Sequence, residues 1–383
     1  MLAENGAPKR STKRRATIVV SVATAGAVGL ISALAVNGTF ANTPATAAPI
    51  TANLTQHATL TRALQVIAKT AGSSASYYAY IAAETGSEVV EVNVAAGSIV
   101  GTISADSVEG VAVTPDGSTA YLAETGQYYV IADDLATKAQ TKIEVGAYPQ
   151  DVAVSPTGKV VYATVTAGDT GPGGSDVVAA IDPATNKVTA DIRVGPAPRQ
   201  VVFSRDGSTA YVTTETGIYE ISTATSRVVR VIPEAGATNG PQGIALSPNG
   251  ATLYVTNPDA GTVVAIDAAS GKVVASASGL AEPYSVTVTP NGSTLYVADM
   301  NSDSVSVLSA ATLAASATVS VGRLPMSVTT SPDGSQVWVG DGYTGDVSVI
   351  STATNSVVAT LAQGAGTSNL DAAITDIAFA PAP

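Results

Sequence analysis

One phrase governs what this chain can fold into. A short apolar run, a Pro-Asp-Gly-like turn and a second apolar run opening on an aromatic recur from residue 77 onward. The phrase reads Val108-Glu-Gly-Val-Ala-Val-Thr-Pro-Asp-Gly117, then Pro149-Gln-Asp-Val-Ala-Val-Ser-Pro-Thr-Gly158, then Pro198-Arg-Gln-Val-Val-Phe-Ser-Arg-Asp-Gly207. Further copies run from Pro241 to Gly250, Pro283 to Gly292 and Pro325 to Gly334, and a half-copy ends at Pro381. Counted at the Pro of the turn, the anchors are 115, 156, 205, 248, 290, 332 and 381, giving steps of 41, 49, 43, 42, 42 and 49. Strand-built repeats of about 40–50 residues mark a β-propeller.

Each copy reads as four strands. The first is apolar on both faces (Val111-Ala-Val113), as suits a strand with a blade packed on either side. The turn follows, with Pro fixing φ and Gly supplying a positive φ. The second strand carries Tyr121, Tyr162, Tyr211, Tyr254, Tyr296 or Trp338, which read as packing between blades. The third resembles Val263–Asp267, and the fourth alternates polar with apolar residues and carries Lys142, Arg193 or Arg230 on an exposed rim. Six complete units run from 108 to about 361. Ile374–Ala380 adds a lone first strand and Tyr78–Ile103 the other three. Joined, they make a seventh blade from both ends of the chain, which closes the ring and hides its edges. The expectation is an all-β, seven-bladed propeller of four-stranded antiparallel blades over 77–383.

Leu253-Tyr-Val-Thr-Asn257 contains the signature of the YVTN family of propeller repeats, and Tyr296-Val-Ala-Asp299 and Tyr211-Val-Thr-Thr214 are variants of it. With the Pro-Asp-Gly turns and the Val-Gly-x-x-Pro connectors ending at Pro149, Pro198 and Pro325, residues 77–383 resemble that family. The resemblance implies an exported or surface-layer setting and, through related propellers, lactonases that open sugar-acid lactones. It also implies a ring-opening lyase that relies on histidine, and residues 58–383 contain none.

The N-terminus is of another kind. Lys9, Arg10, Lys13, Arg14 and Arg15 precede an uncharged stretch from Ala16 to Val36, and Ala45-Thr46-Ala47 offers an A-x-A site. Residues 1–47 read as a secretory signal peptide, or as an anchor through 16–36 if uncleaved. Either way the basic side stays in the cytoplasm and the rest is extracytoplasmic. Residues 48–76 read as a linker with a helix over Thr59–Ala71, where Leu60, Leu64, Ile67 and Ala68 share a face. His57, the single histidine, falls here as a solvated bystander.

Composition narrows the chemistry. With no cysteine and one histidine among 383 residues, thiolate zinc sites, Fe–S clusters, cysteine nucleophiles and multi-His cages are excluded. The net charge of −12 becomes −16 once five basic residues and Glu4 leave with the leader, so nucleic acid is not an expected partner. A monomer is expected, with no membrane contact beyond an uncleaved anchor.

Function should gather on one face. The expanded segments Ala167–Ser175, Pro233–Gly240 and Ala362–Ala372 all fall on the side of the blade-to-blade connections, opposite the Pro-Asp-Gly turns. Second-strand exits there carry Glu84, Glu124, Glu215, Asn257, Asp299 and Asp341. First-strand entries carry Glu109, Asp151, Arg199, Gln242, Tyr284 and Asp376, near the axial channel. Oxygen ligands of this kind suit Ca²⁺, and Asp299-Met-Asn-Ser-Asp303 supplies Asp299, Asn301 and Asp303 as half of a calcium loop, without its Gly or its final Glu. No cofactor is required by the pattern. Asp116, Asp206 and Asp333 sit inside turns and read as structural. No G-x-S-x-G elbow or phosphate loop occurs. The leading expectation is an exported, non-catalytic binding scaffold, with Ca²⁺ on its loop-rich face. The alternative is a lactonase-like or metal-assisted hydrolase using the channel mouth: a lactonase requires Asp151, Arg199 and Asp376 to converge at the axis around a ligand-sized cavity, and a metal-assisted hydrolase would draw on the Glu124 and Asp299 group.

Overall fold

The computed structural model describes residues 60, 62–71, 76–84, 88–167, 176–233, 240–362 and 373–381. The leader, His57 and nearly all of the three expanded segments lie outside them. By contacts the chain divides into Met1–Thr46 and Ala47–Pro383, and every described residue belongs to the second unit. No helix among the described residues is long and apolar enough to cross a membrane.

Seven four-stranded antiparallel sheets form the ring. Blade I joins Ile374–Pro381 to Tyr77–Ala83, Glu88–Asn93 and Ser98–Ser104. The C-terminal strand pairs along the whole N-terminal one, from Tyr77 opposite Pro381 to Ala83 opposite Ile374. Blades II to VII begin at Val108, Tyr148, Val201, Ile244, Pro283 and Pro325, each adding its strands in chain order from the axis outward. The closure expected from the two half-copies is therefore the one observed.

The repeat explains itself in packing. Tyr121, Tyr162, Tyr296 and Trp338 are each at most 1% exposed, wedged between neighbouring blades. Burying such a ring contributes roughly 2–3 kcal/mol, and the polar tip is still satisfied in several copies. Tyr121 donates to Asn186 Oδ1 (2.9 Å), Tyr254 to the Ala310 carbonyl (3.0 Å) and Tyr296 to Asn355 Oδ1 (2.7 Å). At the same end of the blade, the glycine closing each turn has φ between 66° and 72°, from Gly158 to Gly117. A side chain would be strained there. Turn aspartates behave as read: Asp206 Oδ1 accepts from Ser204 Oγ (2.6 Å), Ser208 N (3.0 Å) and Ser208 Oγ (2.8 Å). Those bonds hold its pKa down to about 2.

The helix (60 and 62–71) forms where its apolar spacing puts it. Leu64, Ile67 and Ala71 are buried in one cluster with Tyr77, Trp338, Val347 and Ile374 of blades I and VII. Gln336 ties it down, donating to the Ile67 carbonyl (2.8 Å) and Thr70 Oγ1 (2.6 Å) while accepting from Trp338 Nε1 (3.0 Å).

Candidate functional site

Around the axis the first strands build two stacked rings. Six residues before each turn anchor stand Glu109, Gln150, Arg199, Gln242, Tyr284, Met326 and Thr375, one per blade, all half-buried. Five residues before it stand Gly110, Asp151, Gln200, Gly243, Ser285, Ser327 and Asp376. All but Gly110 line a single cavity of about 390 Å³, together with Thr166, Ala197 and Pro198. That volume suits a small ligand. The convergence required of Asp151, Arg199 and Asp376 is met, and Glu109, Gln242 and Tyr284 join them.

The rings differ in what their side chains do. The second ring stitches blade to blade. Asp376 Oδ2 accepts from Val111 N (2.9 Å), Asp151 Oδ2 from Val201 N (2.9 Å), Gln200 Oε1 from Ile244 N (2.9 Å) and Ser285 Oγ from Val328 N (3.3 Å). Both aspartates follow a blade whose own residue at that place is short, Gly110 or Ser327. Their second oxygens take up the amides left over: Asp151 Oδ1 accepts from Val152 N and Asp376 Oδ1 from Ile377 N, each at 2.8 Å. A Cβ on Gly110 would stand only 3.0 Å from Asp151 Oδ1 and 2.9 Å from its Cα. Aspartate and glycine here are two halves of one joint.

The first ring is held by its backbone instead. Thr164, Thr213 and Thr256 on the second strands donate to the carbonyls of Arg199 (2.6 Å), Gln242 (2.9 Å) and Tyr284 (2.9 Å) on the next blade. Its side chains are thereby freed to face the cavity. Arg199 Nη1 donates to Gln242 Oε1. Glu109 accepts no hydrogen bond among the described residues. Burial, then the charges of Glu84 and Asp376, push its pKa up to about 7. Burial also raises Asp151 and Asp376, Asp151 further through the charge of Asp376, against the pull of their backbone donors. Burial, then Glu109, raises Tyr284.

The second-strand exits do not form one set. Glu124, Asn257, Asp299 and Asp341 are at most 4% exposed, packed between blades rather than facing the cavity. Glu84 and Glu215, each one place past the end of its strand, are exposed. Glu124 Oε1 accepts from Asp106 N (2.8 Å) and Asp341 Oδ2 from Ser348 Oγ (2.7 Å). Burial lifts Asp299 to about 6 and Asp341 to about 7. In the Asp299–Asp303 run, Asp299 Oδ2 accepts from Ser306 Oγ, residues Met300–Ser302 make a 3₁₀ turn and Asp303 Oδ1 accepts from Leu324 N (3.0 Å). Among the described residues no three His, Cys, Asp or Glu side chains come together as a metal-holding group.

Reading the sequence by acidity alone passes over Gln150, Gln200, Ser285, Ser327, Met326 and Thr375. Counting a fixed distance back from each turn anchor finds all of them.

Comparison with known proteins agrees with the architecture. The family model described as Lactonase, 7-bladed beta-propeller, matches residues 174–312. That stretch contains Arg199, Gln242 and Tyr284 but neither Glu109 nor the two cavity aspartates. Among solved structures, hydrazine synthase of Kuenenia stuttgartiensis is 25% identical with a TM-score of 0.64, covering 72% of this chain and 92% of that one. A functionally unknown protein of Desulfotomaculum acetoxidans is 13% identical with a TM-score of 0.66, covering 79% and 99%, a likeness of fold alone. No curated protein matches the chain. In all, 1561 chains of solved structures match, so the fold is too widely shared to specify chemistry.

Proposed function

We propose that the axial cavity binds a small, neutral, carbonyl-bearing ligand of the lactone type and hydrolyses it. Glu109 is the carrying observation: a half-buried carboxyl with no hydrogen-bond partner among the described residues and a pKa near 7, in a cavity that also holds a guanidinium. A carboxyl so tuned can take a proton from water as it attacks a carbonyl and return it to the leaving oxygen. Arg199 is placed to stabilise the oxyanion that forms. Three carboxyls against one arginine disfavour an anionic ligand and suit an uncharged cyclic ester. The partial match to the lactonase family model supports this reading.

A second reading keeps the cavity but not the reaction. Asp151 and Asp376 each spend both oxygens on backbone amides, which leaves Glu109 as the one free acid. A pocket with a single free acid also suits a binding module of a YVTN-type propeller. Export fits either case and is supported by the basic and apolar pattern of residues 9–36; N-terminal sequencing of protein recovered outside the cells tests it.

The deciding experiment assays the full-length chain against γ- and δ-lactones by pH-stat, with calorimetric binding in parallel. Hydrolysis that falls about 100-fold in Glu109→Gln supports catalysis. Lactone binding without hydrolysis, or hydrolysis indifferent to Glu109→Gln, leaves the binding module.

A further inference from the structure

The mouth of the cavity carries an aromatic shelf that the packing of the propeller does not explain. Among the described residues, four blades have a tight turn linking the second strand to the third, and the residue just before the third strand is left-handed: Tyr128, Gly261, Asp303 and Gly345, with φ of 63°, 60°, 50° and 65°. Two are glycines, for which that conformation is free of strain. Asp303 is a small residue that tolerates it and uses its carboxylate to hold Leu324 N. Tyr128 is the outlier, since a bulky side chain is rarely found there. Its ring is not buried in exchange, being 43% exposed. Left-handed backbone also occurs at Lys138, Leu313 and Leu324, so it is the exposed ring beside the cavity, rather than the strain, that points to a role for the side chain.

Tyr128 has one fixed neighbour. Its ring meets that of Tyr148 edge-on, with centroids 4.8 Å apart at 71°, and the two hydroxyls are hydrogen-bonded at 3.1 Å. Tyr148 opens the first strand of blade III, two residues ahead of Gln150, and lies opposite Thr166; both Gln150 and Thr166 line the cavity. Thr125, in the same turn as Tyr128, donates to the Pro149 carbonyl (2.7 Å) and fixes the turn against that strand. The shelf thus continues the cavity wall outward. The wall itself offers planar amides and carboxyls (Gln150, Gln242, Glu109) that can grip vicinal hydroxyls in pairs.

From this we infer that the site takes a neutral oligosaccharide rather than a lone sugar derivative. One unit enters the axial cavity, and the next lays its C–H face on the ring of Tyr128, braced by Tyr148. The inference rests on the ligand-binding reading of the cavity and extends it by a second subsite. Aromatic rings bury apolar faces while their hydroxyls stay wet, the match needed for a sugar's two-sided surface.

Calorimetry on the full-length chain tests it with cellotetraose, maltotetraose and chitotetraose, each against its monosaccharide unit. At least one tetrasaccharide should bind about tenfold tighter than its unit, the gain of one good aromatic contact. Tyr128→Gly should lose that gain, bind the unit as before and melt no lower than the natural chain, because glycine relieves the backbone. Tyr128→Asn, which also tolerates the left-handed turn, should behave alike. The inference is overturned if no tetrasaccharide exceeds its unit, if none binds at millimolar concentration, or if both variants keep the gain. Lactones turned over through Glu109 with no gain from chain length would remove the shelf and leave the cavity reading. Tetrasaccharide binding lost in Tyr128→Gly but unchanged in Arg199→Ala and Glu109→Gln would do the reverse.

Discussion

Two layers of acids lie one residue apart at the axis, and they answer opposite needs. Asp151 and Asp376, in the second ring, are joints between blades: each accepts two backbone amides, one from its own strand and one from the next blade. Glu109, in the first ring, touches no donor among the described residues and shares the cavity with Arg199. Burial raises all three, so acidity alone does not separate the working group from the structural ones. Hydrogen-bond accounting does. A carboxylate whose oxygens hold amides cannot also move protons without weakening the ring.

Substitution should separate the layers most sharply. Asp376→Ala or Asp151→Ala leaves two amides unpartnered and should cost about 2–4 kcal/mol in urea unfolding. Any loss of turnover would follow the loss of folded protein. At pH 4, where the carboxyl is protonated in both states, Glu109→Gln should unfold within about 0.5 kcal/mol of the natural chain, since it strips no partner, while turnover at neutral pH falls about 100-fold. Comparable destabilisation in all three variants would dissolve the distinction between the layers.

The next largest effect is in pH. Glu109 rises from 4.5 to about 7 on folding, Asp299 from 3.8 to about 6 and Asp341 from 3.8 to about 7, all chiefly through burial. An acid whose pKa is raised by folding holds its proton longer in the native state. Its stabilisation is full below the unfolded value and is lost as pH climbs to the folded one. Thermal stability should therefore be greatest in mild acid and fall between pH 4 and 7. The turn aspartate Asp206, held down to about 2, works the other way, and its share is lost only as pH drops below 4. Glu109→Gln should flatten the fall between pH 4.5 and 7, whereas a melting temperature that rises across that range would contradict the assigned burial.

The sequence exposes the propeller fully and the site only in part, for one physical reason. Blade count, closure and the helix follow from period and apolar spacing, which survive small errors of register. Site chemistry does not, because neighbouring residues of a strand point to opposite faces. Glu109 and Asp151 look interchangeable in Val108-Glu-Gly and Pro149-Gln-Asp, yet one faces the cavity and the other binds the next blade. The same step separates exposed Glu84 and Glu215 from buried Glu124, Asp299 and Asp341. The left-handed backbone at Tyr128 leaves no mark in composition or spacing, since the same turn carries glycine or aspartate elsewhere.

A smaller effect should come from the threonines beneath the first ring. Thr256 Oγ1 accepts from Gly243 N (2.7 Å) and donates to the Tyr284 carbonyl (2.9 Å), relaying between blades V and VI. Thr256→Val keeps the shape and removes both bonds, at a cost of about 1–2 kcal/mol. Because Tyr284 itself faces the cavity, its backbone would also loosen, so KM for a hydrolysed lactone should rise about threefold with kcat little changed. An equal fall in kcat would place Tyr284 in the reaction rather than in binding.

The smallest effect expected is that of calcium, and it contrasts the loop-rich rim with the axis. Asp299 is buried against Ser306 and Asp303 turns to Leu324 N, so the carboxylates that the D-x-N-x-D spacing brings near in sequence have different partners, one in the third strand of blade VI and one in the connection to blade VII. A cation there would need several oxygens at about 2.3–2.6 Å, and among the described residues no three acid side chains come together to supply them. Melting curves of the full-length chain in EDTA and in millimolar Ca²⁺ should coincide. A saturable rise in Ca²⁺, abolished by Asp299→Asn with Asp303→Asn, would show that the turn rearranges around the ion, because a ligand stabilises the state it binds. The rim would then be a second site beside the axial one.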